Sequence, residues 1–90
     1  MATQSLSKSF GEVVRAHRSV LSFTQELLAE RAGVHATYIG MIERGERNCS
    51  LDVASEIAKA LNTSLSKLIE EAERRNQKSS NVLSRKGRRS

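Results

Sequence analysis

Three observations predict an all-α domain built from five helices. The chain has no proline, three aromatic residues and five glycines scattered singly, in a background rich in Ala, Leu, Glu and Arg. Its apolar residues recur at helical spacing in five short runs. Between the runs stand residues that stop or start helices, chief among them Gly33, Gly45, Asn62, Thr24 and Ser50.

Residues 1–8 are small and polar and are expected to fray. Ser9 and Glu12 have the S-x-x-E spacing of a capping box, so helix one is expected to start there and to turn Phe10, Val13, Val14, His17 and Leu21 inward. Ser22 and Phe23 lead to Thr24, whose hydroxyl can cap helix two, while Phe23 can pack on Leu28 as a hydrophobic staple. Leu28, Ala29 and Ala32 share one face of helix two. Gly33 suits a left-handed residue ending that helix, Val34 lies at the corner, and Tyr38, Ile39 and Ile42 form the inner side of helix three. The small Ala29 permits a close crossing, and the pair has the pattern of a helix-turn-helix.

Gly45 supplies the stop after helix three. Ser50 can cap helix four, with Leu51, Ala54, Ile57, Ala58 and Leu61 inward, and Asn62 tolerates the left-handed turn that follows. Thr63 or Ser64 caps helix five, which carries Leu65, Leu68, Ile69 and Ala72 on one side. From Asn76 onward the chain has too few apolar residues to offset the entropy of ordering it, so residues 76–90 are expected to form a disordered basic tail. A single folded domain over residues 9–75 results.

The net charge of +5 belongs to that tail: residues 1–75 hold ten basic and ten acidic side chains, and residues 76–90 hold five basic and none acidic. A globally basic surface is therefore not implied, and the placement of individual Arg residues matters more. One cysteine excludes an internal disulfide and a thiolate zinc cluster. No cofactor, metal or small-molecule ligand is expected. No apolar run is long enough for a membrane span and the start lacks an apolar signal core, which points to the cytoplasm.

No catalytic set stands out. His17 sits on a packing stripe, His35 at a helix start, and Cys49 has no histidine near it in sequence to act as a base. The outer side of helix three, with His35, Ala36, Thr37, Gly40 and Met41, is short, uncharged and chemically mixed. Such a helix fits the major groove, where His and Thr can hydrogen-bond base edges and Ala, the Thr methyl and Met can meet the thymine methyl. Gln25 and the amides at the start of helix two can meet one phosphate, and Tyr38, Arg44, Arg47 and Asn48 others.

From Phe10 to Ile69 the chain resembles the lambda-repressor-like, XRE-type helix-turn-helix domain of bacterial and phage transcription regulators. The matching residues are Arg18, Thr24-Gln25, Leu28-Ala29 and Ala32-Gly33-Val34; then Tyr38-Ile39, Ile42-Glu43-Arg44-Gly45, Asn48 and Ser50-Leu51; then Ile57-Ala58, Ala60-Leu61, Ser64-Leu65 and Leu68. The resemblance implies that Gln25 abuts the sugar-phosphate backbone, that Ala36, Thr37 and Met41 face bases with His35 and Tyr38 beside them, and that Arg44, Arg47 and Asn48 hold backbone. It assigns Arg18 and Glu43 to an internal ion pair joining helix one to the end of the recognition helix. Three positions depart from the family pattern: Ser22 replaces a usual Gly, Cys49 a frequent Pro, and Lys67 an acidic capping-box residue. Nothing nearby lowers the Cys49 pKa, so an inert thiol is expected.

One short helix reads only a few base pairs, so a homodimer on an inverted repeat is expected, with the two recognition helices roughly 34 Å apart. Leu51, Val53, Leu65 and Ile69 are the candidate dimer residues, because helices four and five hold more apolar positions than a small core needs. The size of the chain resembles that of the small controller proteins of restriction-modification systems and compact phage-type repressors. An antitoxin that binds both DNA and a toxin, or a protein-interaction module without DNA affinity, are the alternatives.

Overall fold

The structure is a computed structural model that describes residues 5–80. Five helices follow one another, α1 (Leu6–Val20), α2 (Gln25–Ala32), α3 (Ala36–Glu43), α4 (Leu51–Ala60) and α5 (Leu65–Ser80), with no strand among the described residues.

One device ends the first four helices. In each, a residue with positive φ follows the last turn: Ser22 at 60°, Gly33 at 78°, Gly45 at 73° and Asn62 at 61°. The amide one place further on then reaches back five residues. Phe23 donates to the Arg18 carbonyl (3.0 Å), Val34 to Ala29 (3.0 Å), Glu46 to Met41 (2.9 Å) and Thr63 to Ala58 (2.9 Å). These are Schellman closures, which satisfy carbonyls the helix leaves orphaned and reverse the chain within two residues. Gly and Asn enter the left-handed region readily, whereas Ser22 does so against its Cβ.

Each new helix is then opened by a hydroxyl. Thr24 accepts from the Leu27 amide (3.0 Å), Ser50 from Val53 (3.1 Å) and Ser64 from Lys67 (3.1 Å). Ser64, rather than Thr63, is thus the cap of α5, and Lys67 supplies only its amide. The first helix departs from expectation. Its cap is Ser5, which accepts from the Lys8 amide at 3.1 Å, and Ser9 is fully buried in the second turn. Residues 6–8 are therefore helical rather than frayed. The S-x-x-E pattern at Ser9 and Glu12 is also an ordinary helix repeat, and a small Ser suits a position pressed against the core.

At the other end, α5 runs to Ser80, five residues beyond the expected boundary at residue 75. Ion pairs line the turns just before that boundary, Glu70 to Arg74 at 3.2 Å and Glu12 of α1 to Arg75 at 3.3 Å. The rest of the expected basic tail, residues 81–90, lies outside the described residues.

The core joins Phe10, Val13 and Val14 of α1 to Leu28, Ala29 and Ala32 of α2, Ile39 and Ile42 of α3, Ala54, Ile57, Ala58 and Leu61 of the α4 segment, and Leu68 and Ala72 of α5. Helix α1 packs on α5 and α3, and α2 packs on α3 and α4. Gly11 sets a close crossing of α1 on the end of α3: a Cβ there would lie 2.0 Å from the Ile42 carbonyl oxygen and 2.9 Å from that of Glu43. Leu51 does not join the inward face expected of it. It opens α4 at the surface, 76% exposed.

Candidate nucleic-acid interface

Helix α3 has eight residues, too few to be stable in water alone, so its position is set by what grips it. Ile39 and Ile42 are almost wholly buried on one side. On the other, His35, Thr37, Tyr38 and Met41 line an open groove together with Gly33, Val34 and Arg47, about 550 Å³ in volume. His35 is the N-cap residue of α3 but makes no side-chain cap bond, which leaves its imidazole at the exposed surface. Ala36 is half-buried against the core and does not line this groove.

Arg47 closes one rim, its guanidinium 5.8 Å from the centre of the Tyr38 ring. The Tyr38 hydroxyl donates to the Asn48 carbonyl over 3.4 Å, and the Ser7 hydroxyl of α1 donates to the Asn48 side-chain oxygen. The loop after α3 is thereby fastened both to the helix it leaves and to the start of α1.

The C-terminal end of α3 is held by ions. Arg18 of α1 donates from Nε to Glu43 Oε2 (2.7 Å), from Nη2 to Glu43 Oε1 (3.0 Å) and from Nη1 to the Phe23 carbonyl (2.9 Å). Gln25, the first residue of α2, adds a bond from Nε2 to Glu43 Oε1 (3.0 Å). The Glu43 side chain is 3% exposed and that of Arg18 16%. The hydrogen bond to Glu43 raises the Arg18 pKa above its ordinary value against the opposing effect of burial. One carboxylate thus ties together α1, α2 and α3.

Two features were not legible in the sequence. Gly40, expected on the outer side of α3, is buried beneath the side chains of Gln25 and Arg44: the position of a Cβ at residue 40 lies 3.2 Å from Arg44 Nη1 and 3.5 Å from Gln25 Oε1. Arg44, for its part, is engaged by Glu46. Its Nε and Nη2 donate to the two carboxylate oxygens at 3.0 and 3.1 Å, both side chains being more than half exposed. These hydrogen bonds hold the Glu46 carboxyl below its ordinary range. Helical periodicity groups Gly40 with Thr37 and Met41, and only the reach of two side chains from elsewhere covers it.

Of the candidate dimer residues, Leu51 and Ile69 line a second groove of about 340 Å³, with Leu6, Phe10, Ile42, Cys49 and Ala54 among its walls and Arg47 at its edge. Val53 and Leu65 are half-buried against the core and are not part of that lining. Burial pushes the Cys49 thiol above its usual range. Among the described residues no His, Cys, Asp or Glu group is arranged to hold a metal ion, and no helix is long and apolar enough to cross a membrane.

Comparison with known proteins agrees with this geometry. A family model described as helix-turn-helix matches residues 21–68. Over 64 residues the chain is 47% identical to the control protein C.SmaI of Serratia marcescens, covering 71% of this chain and 76% of that one. Among solved structures, the restriction-modification controller protein C.AhdI from Aeromonas hydrophila superposes with a TM-score of 0.67 at 36% identity, over 68% of this chain and 92% of that chain. The clp gene regulator ClgR from C. glutamicum does so with a TM-score of 0.79 at 26% identity, over 82% and 95%.

Proposed function

The chain belongs to the helix-turn-helix family of DNA-binding transcription regulators rather than to any enzyme class, and from that premise we propose that it reads a specific duplex sequence with α3 in the major groove, as a homodimer on an inverted repeat. The observation that carries the reading is the two-sidedness of α3. Ile39 and Ile42 are buried, while His35, Thr37 and Met41 open onto one concave face rimmed by Tyr38 and Arg47.

In this reading His35, Thr37 and Met41 contact base edges, with Ala36 contributing through its helix position rather than deep contact. Gln25, Tyr38, Arg44, Arg47 and Asn48 hold the sugar-phosphate backbone, which fixes register without carrying sequence information. Arg18 and Glu43 touch no DNA and keep α3 at its angle. The groove with Leu51 and Ile69 at its wall supplies apolar surface for a second copy, and a twofold pair would double the number of base pairs read. The similarity to restriction-modification controller proteins supports a role in controlling transcription.

The test is selection of bound duplexes from a random pool, followed by binding measurements with Thr37→Ala and Met41→Ala. The reading requires an enriched sequence with twofold symmetry, and a loss of discrimination of about 1–3 kcal/mol at the base pair each side chain contacts. Enrichment of no sequence, or of one whose preference neither variant alters, would refute it.

A further inference from the structure

Glu46 is an acid on a face otherwise suited to phosphate, and none of the roles above accounts for it. It meets Arg44 through both carboxylate oxygens, at 3.0 and 3.1 Å, the same forked geometry in which a guanidinium receives a phosphate. Arg44 is not an incidental partner. Its third nitrogen, Nη1, lies over the bare backbone of Gly40, 3.2 Å from the point where a Cβ would stand, and the Gln25 amide oxygen and nitrogen lie 3.5 and 3.6 Å from the same point. The guanidinium and the Gln25 amide therefore sit side by side across α3. Both members of the Arg44 and Glu46 pair are more than half exposed, so solvent screens the contact and it can be exchanged. Glu46 is anionic at neutral pH like any exposed carboxylate, and the hydrogen bonds from Arg44 push its pKa further below the ordinary range.

We infer that Glu46 is an internal competitor for the DNA backbone: it occupies the Arg44 guanidinium in the free protein and is displaced by a phosphate when duplex docks. The inference rests on the proposed function. Its consequence is a restrained contact. Without Glu46, Arg44 would meet any phosphate offered to it and strengthen binding to every sequence alike. With Glu46 in place, each Arg44 contact requires an exchange of one anion for another, and the released carboxylate retains beside the duplex roughly one cation that the contact would otherwise set free. Glu46 thus lowers sequence-independent affinity and flattens its salt dependence.

The experiment is a double-mutant cycle with the full chain. Dissociation constants of the wild type, Glu46→Gln, Arg44→Ala and the double variant are measured on one short duplex of random sequence across a salt series. Glu46→Gln is expected to bind roughly two- to fivefold tighter than wild type, the value set by loss of an exposed ion pair. The slope of log affinity against log salt should steepen by up to about one. In the Arg44→Ala background the same substitution should have little effect. Equal effects in both backgrounds would mean that Glu46 merely repels DNA from a distance, and no effect in either would make it a bystander; each overturns the inference while leaving DNA binding intact. Failure of the wild type to bind any duplex at low salt would instead overturn the proposed function and this inference with it. Since both side chains are exposed, unchanged thermal melts will show that the variants remain folded.

Discussion

Replacement of Arg18 by Met would remove the cation from a carboxylate that is 3% exposed and bound by three donors. Two of those three donors belong to Arg18, so Glu43 would keep only the Gln25 amide, and the Phe23 carbonyl would lose the Arg18 Nη1 bond as well. A buried charge stranded in this way costs about 3–5 kcal/mol. A domain of this size is stable by roughly 5–10 kcal/mol in all, and 1 kcal/mol corresponds to about 4–8 °C in Tm. Arg18→Met should therefore melt roughly 12–40 °C lower and lose about a third or more of the domain's stability.

Urea unfolding followed by far-ultraviolet circular dichroism gives the measurement, with an unchanged m-value showing that the unfolded state is the same. The decisive variant is the double one. Arg18→Met with Glu43→Leu removes both charges together, and its loss should fall well below the sum of the two single losses, because neither charge is left unpaired. High salt should not rescue the single variant, since a buried pair is little screened. A loss under about 1 kcal/mol for Arg18→Met, typical of exposed pairs, would refute the assignment, as would simple additivity in the cycle.

Gly11→Ala should destabilise by at least about 2 kcal/mol despite the better helix propensity of Ala, because its Cβ would stand 2.0 Å from the Ile42 carbonyl oxygen; a neutral result in the same urea assay would contradict the crossing described. Ser22→Gly should stabilise by roughly 0.5–1 kcal/mol in that assay by relieving a left-handed non-Gly residue at φ 60°. Leu51→Glu, at a position 76% exposed, should change monomer stability by no more than about 0.5 kcal/mol yet shift sedimentation toward the monomer and weaken operator binding. Cys49, whose thiol is pushed up by burial, should react slowly with a disulfide reagent in the folded state and rapidly in denaturant. The same shift has a sign: the folded-state thiol pKa lies above the unfolded one, so its share of stability is present below the ordinary thiol range and is lost as pH rises through the raised value.

The helix stops were legible because they depend on single residues whose backbone preference is intrinsic. Gly33, Gly45 and Asn62 declare the left-handed geometry that each adopts. Ser22 does not, and only the family pattern marked it as a place where Gly is usual. Helix starts were less legible. Ser5 and Ser9 are both followed by plausible first turns, and burial of Ser9 against the core decides between them, which is a tertiary fact. The end of α5 was missed for the opposite reason: periodicity reports the apolar face, and the helix continues after that face has ended. On the reading side, the groove is lined by His35, Thr37 and Met41, which helical spacing places on the outer side. It is also lined by Tyr38, which the same spacing groups with Ile39 and Ile42 on the inner side, and by Arg47 from the loop beyond α3. Helical spacing puts Gly40 on the outer side and gives Glu46 no role, because their surroundings are made by side chains from Gln25 and Arg44, and a helical wheel contains no such information.

The coupling between scaffold and reading face follows from where α3 is gripped. Gly11 brings the backbone of α1 against the carbonyls of Ile42 and Glu43, and Arg18 and Gln25 close on the Glu43 carboxylate, all at the C-terminal end of the helix. His35 and Thr37 stand toward the other end, about two turns away, whereas Met41 lies in the gripped last turn itself. A small tilt permitted by loosening at Glu43 is therefore carried along α3 to the base-reading side chains, where hydrogen bonds tolerate only a few tenths of an ångström. Milder changes in the clamp, such as Gln25→Ala, which leaves both Arg18 bonds to Glu43 in place, should then reduce discrimination between operator and random duplex at temperatures where the domain is still fully folded. Loss of affinity in equal proportion on both duplexes would mean instead that Gln25 acts only as a backbone contact and that the clamp does not govern the angle of α3.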